Sequence, residues 1–197
     1  MKNRKIIALL VLCLSAIVSK VDAQTKNPKH LQFSVEIDPA TFAFKGYSLH
    51  LRMQPVGNDH LLLGVGTYAM DMPDVMVNLN EMNKEEGWEV RLNQGYSFFT
   101  EHHFSEVNRK WFIGGQAGIQ QFKIKNDQVT GNSTFTNALL MGYFGYTLRP
   151  FSLPLYIKPW AGVGYTHQLS GSSRLEQEQY DVAPMTMFAT LHVGYSF

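Results

Sequence analysis

Side chains in this chain change character at every second residue. Tyr47, Leu49, Leu51 and Met53 alternate with Ser48, His50, Arg52 and Gln54. Only an extended strand sends successive side chains to opposite faces, so this segment has one apolar and one polar surface. The same period predicts eight strands, at 31–38, 46–54, 60–70, 88–99, 111–122, 135–148, 155–167 and 186–197. The fourth sets Trp88, Val90, Leu92, Tyr96 and Phe98 against Glu89, Arg91, Asn93 and Ser97. The sixth has two apolar faces, and the one with Leu140, Phe144 and Tyr146 is taken as outward rather than the one with Leu139, Met141 and Tyr143. Most of these segments approach the length of about 9–11 residues that a tilted strand needs to cross a hydrocarbon core.

The first residues belong to a different pattern. Lys2, Arg4 and Lys5 precede an apolar run over 6–18, and small Ala23 stands before the polar Gln24-Thr25. That order predicts a secretory signal peptide at 1–23 and one domain at 24–197. A membrane anchor helix would need about 20 apolar residues, and Lys20 and Asp22 interrupt the run. Cys13, the only cysteine, lies inside the signal, and Leu10-Val11-Leu12 lacks the small residue expected before a lipidated cysteine. The mature chain is thus expected to form neither a disulfide nor a thiolate metal site. Its net charge of about −2 offers no basic field for nucleic acid.

The connections between predicted strands are 7, 5, 17, 11, 12, 6 and 18 residues long. With the first strand rising from the periplasm, the odd connections (7, 17, 12, 18) face outward and exceed the even ones (5, 11, 6). Outer-membrane barrels show that asymmetry, whereas a secreted β-sandwich gives no reason for it. Gly-Tyr recurs at 46–47, 95–96, 145–146, 164–165 and 194–195, near predicted strand ends. Tyrosines there suit aromatic girdles, with the ring in the interface and the hydroxyl in water.

The chain finishes on Ala189, Leu191, Val193, Tyr195 and Phe197, apolar at every second position. In a closed barrel the last strand pairs with the first, because lipid satisfies no open edge. Together with the signal and the eight strands, this pattern resembles the small outer-membrane β-barrel families of Gram-negative bacteria with a porin-like domain, over residues 31–197. The resemblance implies an all-β, eight-stranded antiparallel transmembrane barrel with short periplasmic turns and longer extracellular loops. It also implies that Leu191, Val193, Tyr195 and Phe197 form the signal read by the barrel-assembly machinery. It implies location and fold, and no activity.

If apolar faces meet lipid, the alternate positions point inward: Gln32, Ser34, Glu36, Asp38, His50, Arg52, Glu89, Arg91, Asn93, Gln116, Gln120, Lys158, Thr190 and His192. An eight-stranded barrel is only just wide enough for such side chains to fill, and buried charges must pair. The expected network comprises Glu36, Asp38, His50, Arg52, Glu89, Arg91, Lys158 and His192. It either plugs the lumen or lines a narrow polar passage or ligand pocket.

Other constellations are weaker. His102-His103, with Glu101 and Glu106, invites a metal reading, but neighbours in an extended chain diverge, and an inward-facing polar turn is expected instead. The stretch with Met70, Met72, Met76 and Met82 suits either an adaptable contact outside the cell or a mobile loop with a short helix. His167 and Ser170 have the wrong spacing for the His-x-Ser arrangement that lipid A deacylases of barrel type resemble, and Asp71, Asp74, Ser170 and Ser172 form no implied constellation. The expectation is a monomeric, non-enzymatic outer-membrane barrel without cofactor or metal, with a structural or surface-interaction role. Its partners would be outer-membrane lipids, the assembly machinery during biogenesis and an extracellular ligand at the loops. Transport of a small or apolar solute is the alternative, and lipid modification by an acyl hydrolase or acyltransferase a third.

Overall fold

The computed structural model describes residues 30–150 and 152–197. The expected signal peptide at 1–23 lies outside the described residues. In chain order the elements are β1 (Gln32–Ile37), α1 (Pro39–Ala43), β2 (Tyr47–Gln54), β3 (Leu61–Asp71), α2 (Asp74–Val77), β4 (Trp88–His103), β5 (Lys110–Asn126), β6 (Val129–Thr147), β7 (Leu155–Gly171), a small hairpin of β8 (Arg174–Leu175) and β9 (Glu178–Gln179), and β10 (Met185–Ser196). Eight of the strands close into one barrel in the order β1-β10-β7-β6-β5-β4-β3-β2. Each strand lies antiparallel to its neighbours, and closure runs from Ser34↔Ser196 to Ile37↔Val193. The terminal Phe197 donates its backbone N–H to the carbonyl of Phe33 at 2.8 Å. Among the described residues no helix is long and apolar enough to cross a membrane, which bears only on helices.

The barrel has a turn end, carrying connections 55–60, 104–109 and 148–154, and a loop end, carrying 72–87 and 172–184. Around its waist the outer face is apolar. Along β5, Trp111, Ile113, Ala117 and Ile119 point outward before Gln121, Lys123 and Lys125 take over. From Trp111 to Ile119 is roughly 27 Å of strand at about 3.4 Å per residue, or about 21 Å of height at a tilt near 40°, close to the apolar band of outer-membrane barrels. The five tyrosines of the Gly-Tyr pairs all turn outward. Tyr146 packs edge-on against Trp111, and Tyr195 against Phe197. On β6, Leu140, Phe144 and Tyr146 face out while Leu139, Met141 and Tyr143 are buried.

Beyond the waist, at the loop end, the pattern inverts. Trp88, Val90, Ile124, Phe135, Val77 and Leu175 form a buried apolar cluster inside, while Glu89, Arg91, Lys123 and Lys125 point out. A wall that meets water on its outside needs an apolar interior, the reverse of a wall that meets lipid. The switch on β4 is made by an irregularity between Leu92 and Gln94, where a β-bulge changes which face successive residues take. Strands β5 and β6 also run through the expected twelve-residue connection at 123–134, leaving only Asp127 and Gln128 between them.

The wall is incomplete beside β10. The β1 ladder stops at Ile37 because Asp38 caps α1 and Pro39 has no N–H to continue pairing. Helix α1 then packs among β2, β3 and β10, with Thr41 buried.

Candidate functional site

Midway down the lumen, four charges from four strands meet. Glu36 on β1 lies 3.1 Å from Arg52 Nη2 on β2 and 2.6 Å from Lys158 Nζ on β7. Glu101 on β4 lies 2.9 Å from the same Lys158 and 3.7 Å from the same Arg52. The signs therefore alternate around a closed, electrically neutral ring. Relative exposure is 0% for Glu36, 1% for Glu101 and Lys158 and 2% for Arg52, so each charge is stabilised by its neighbours rather than by water.

Further groups complete the coordination. Tyr156 donates to Glu36 Oε1 at 2.9 Å and Tyr143 to Glu101 Oε1 at 3.2 Å. His192 Nδ1 stands 3.0 Å from Glu36 Oε2, and His103 Nε2 3.1 Å from Glu101 Oε2. The Arg52 guanidinium lies over the Phe99 ring at 4.2 Å, a cation–π contact. Inward glycines make room for these large groups. A Cβ on Gly64 would fall 2.4 Å from Arg52 Cδ, and one on Gly194 would fall 2.2 Å from the Tyr156 ring.

Below the ring, the turn 104–109 folds into the mouth of the barrel, burying Val107 and Asn108. Asn108 donates to Ser34 and Ser196, and Arg149 donates to the carbonyl of Asn108 at 3.2 Å and to Ser196 at 3.1 Å.

Of the eight residues expected in the network, Glu36, Arg52, Lys158 and His192 meet at this cluster. His50 lies beside it, its ring 4.7 Å from that of His192. Asp38 is buried but joins other partners: it accepts from Ala40 N–H at the helix start and from Thr190 Oγ1 at 2.8 Å. Glu89 and Arg91 lie on the opposite, outer face, because the irregularity at Leu92/Gln94 reverses the parity on which their placement rested. Arg91 pairs with Asp71 there. Asn93 is outward for the same reason. The ring instead takes Glu101 and His103, which sequence reasoning places in a turn. The signal is present: β4 keeps Ser97, Phe99, Glu101 and His103 on one parity, and the strand simply continues to His103. The adjacent histidines diverge, with His102 on the outer face, stacked on His60. Among the described residues no group of three or more His, Cys, Asp or Glu is placed to hold a metal ion.

Above the ring, toward the loop end, the lumen widens into a cavity of about 670 Å³. Its floor includes His50, Phe99, Trp160 and His192, and its walls are mostly apolar. Met70, Met72 and Met76 line it, so three of the four methionines in that stretch face the cavity. Its roof is latched: Asn83 Nδ2 donates to the Asp181 carbonyl at 2.9 Å, and Asp181 N–H returns a bond to Asn83 Oδ1 at 2.8 Å. Tyr180, packed on Trp88 and Phe135 in the same roof, has its phenol pushed up to about 12 by burial, with Asp181 adding to the shift.

A closed ring of strands, apolar outside at its waist and ion-paired inside, defines a transmembrane β-barrel. No family model matches the chain, and no curated protein matches it. Among solved structures it is similar to the N-terminal β-barrel domain of Pseudomonas aeruginosa OprF, at 15% identity over 87% of this chain and 99% of that one, with a TM-score of 0.44. It is also similar to a major outer membrane protein from Thermus thermophilus, at 14% identity over 85% of this chain and 100% of that one, with a TM-score of 0.47.

Proposed function

We propose that this chain is a monomeric, non-enzymatic outer-membrane barrel, closed to ions along its axis, that acts structurally or through its outer loops. The four-charge ring carries this reading. Glu36, Arg52, Glu101 and Lys158 pair with one another across the lumen, and an ion passing through would have to displace these partners. The turn 104–109 supports the same reading from below. With the turn end toward the periplasm, the latched loops face the exterior. In this proposal Leu191, Val193, Tyr195 and Phe197, all on the outward parity of β10, are the stretch that the assembly machinery reads. Passage of a small or apolar solute is the second reading, and the cavity above the ring is the observation that favours it.

The test is potassium release from vesicles containing the refolded protein. Release no faster than from protein-free vesicles is expected. Rapid release would overturn axial closure.

A further inference from the structure

The cavity above the ring is not confined to the lumen. On β10, inward Phe188 and outward Met187 both line it, and so does outward Val163, the partner of Met187 on β7. A depression on the outer face shares these residues, together with Met76 and Leu79. Inside and outside are therefore separated beside β10 only by these shared side chains.

The backbone gives the reason. Phe197 donates its N–H toward β1 and Ser196 toward the β7 side. Alternation then turns the N–H and C=O groups of Met185, Met187, Ala189 and Leu191 toward β1. Pairing with β1 ends at Val193, and among the described residues those groups have no hydrogen-bond partner on that side. Unpaired backbone at membrane depth is tolerated only where it is buried in protein or lines a water-accessible cavity. Met185 is level with outward Tyr165, its β7 partner, so the edge runs from that tyrosine toward the middle of the apolar belt.

The far wall, on β5 and β6, supplies polar groups without charge. Gln116 and Gln120 donate to the Tyr68 oxygen at 3.1 and 3.3 Å. Asn137 is 3% exposed and its Oδ1 has no hydrogen-bond partner. No lysine or arginine lines the cavity, and Arg52 and Lys158 below it are paired with the two glutamates of the ring. Three carboxylates do line it, each already engaged: Asp38 accepts from Ala40 N–H and Thr190 Oγ1, Asp181 from Asn80, and Glu81 pairs with Lys84. Neutral amides and a phenol do not offset the cost of desolvating an ion. A volume near 670 Å³ suits one small molecule.

We infer that the cavity takes a neutral amphiphile, its uncharged hydroxyl or amide head on the Asn137 wall and its chain toward the seam, entering sideways from the membrane between β10 and α1. This rests on the second functional reading and names its ligand class and route.

The test uses the full barrel in lipid nanodiscs, with Trp160 as the sole tryptophan after Trp88→Phe and Trp111→Phe, and bromine-tipped chains as quenchers. Bromine-tipped undecanol should quench Trp160 saturably, at least about ten-fold more tightly than the ionised undecanoate or the undecylammonium. Asn137→Leu should weaken undecanol by about three- to ten-fold and leave bromine-tipped undecane unchanged. Gln120→Leu serves if that variant fails to show the gel shift of a folded barrel. Joining Asn83→Cys to Asp181→Cys, directly or with a short bis-maleimide, locks the roof; lateral entry predicts an unchanged quenching rate. Absent or unsaturable quenching, preference for either ion, or a rate that falls with the roof locked would each overturn the inference. Potassium release tests axial closure separately, so a silent vesicle with no quenching sinks the inference alone, and a leaking vesicle sinks closure alone.

Discussion

Lys158→Met removes one corner of the ring while keeping most of the aliphatic stem. Lys158 lies 2.6 Å from Glu36 and 2.9 Å from Glu101 and is 1% exposed. Its loss leaves two buried carboxylates sharing Arg52, which sits at 3.1 Å from one and 3.7 Å from the other. Tyr156 and Tyr143 still donate to them, but a hydroxyl brings no compensating charge. Breaking a buried pair in this way costs about 3–5 kcal/mol. Adding Glu101→Gln restores neutrality, with Glu36 and Arg52 as the remaining pair, and an apolar or neutral replacement of a buried pair is often close to neutral in stability. The double variant should therefore recover at least about 2 kcal/mol of the loss, a coupling characteristic of groups in direct contact. Urea unfolding in lipid vesicles, followed by tryptophan fluorescence, measures all three differences. Additive losses, or a single Lys158→Met variant as stable as wild type, would refute the ring as a mutually dependent unit.

Leu51→Arg, on the outward face of β2, should cost roughly 2–4 kcal/mol of stability in lipid if it sits near the midplane, while Glu89→Arg, outside the apolar belt, should stay within about 0.5 kcal/mol; equal losses would invalidate the facing of β4. Tyr180 has a folded-state value raised to about 12 by burial, above the ordinary tyrosine value near 10, so its contribution is fully present below about pH 10 and is lost as pH rises toward 12. Proteolysis of the 172–184 loop should accelerate across that window, and Tyr180→Phe should remove the dependence. If the assembly machinery reads the terminal stretch as proposed, deleting Phe197 should impair assembly in cells more than refolding into detergent; equal severe loss in both would assign Phe197 to packing, and no loss in either would remove its role.

The eight strands were legible because alternation against lipid is a strong signal, and β2 shows it without interruption from Tyr47 to Gln54. Glu36, Arg52 and Lys158 were legible as candidates for the same reason. Their partner Glu101 was not, because His102-His103 reads as a polar turn when a strand is expected to end at Phe99. Glu89 and Arg91 were misplaced by a rule that holds only where the wall meets lipid and only until a bulge changes parity. The hairpin at 123–134 was hidden likewise: Lys123 and Lys125 look like loop residues, yet they are the wet face of a strand whose other face buries Ile124. The gap beside β10 follows from Asp38-Pro39 ending β1, a local stop whose consequence for the opposite strand appears only once the barrel closes.

Single-channel recording of the refolded wild-type protein in planar lipid bilayers tests the central claim most directly. With Glu36, Arg52, Glu101 and Lys158 closing the axis, insertion should produce no stepwise ionic current across the applied voltage range. Reproducible unitary steps from the folded wild-type barrel would contradict the account, because they would require a continuous aqueous path through the ring.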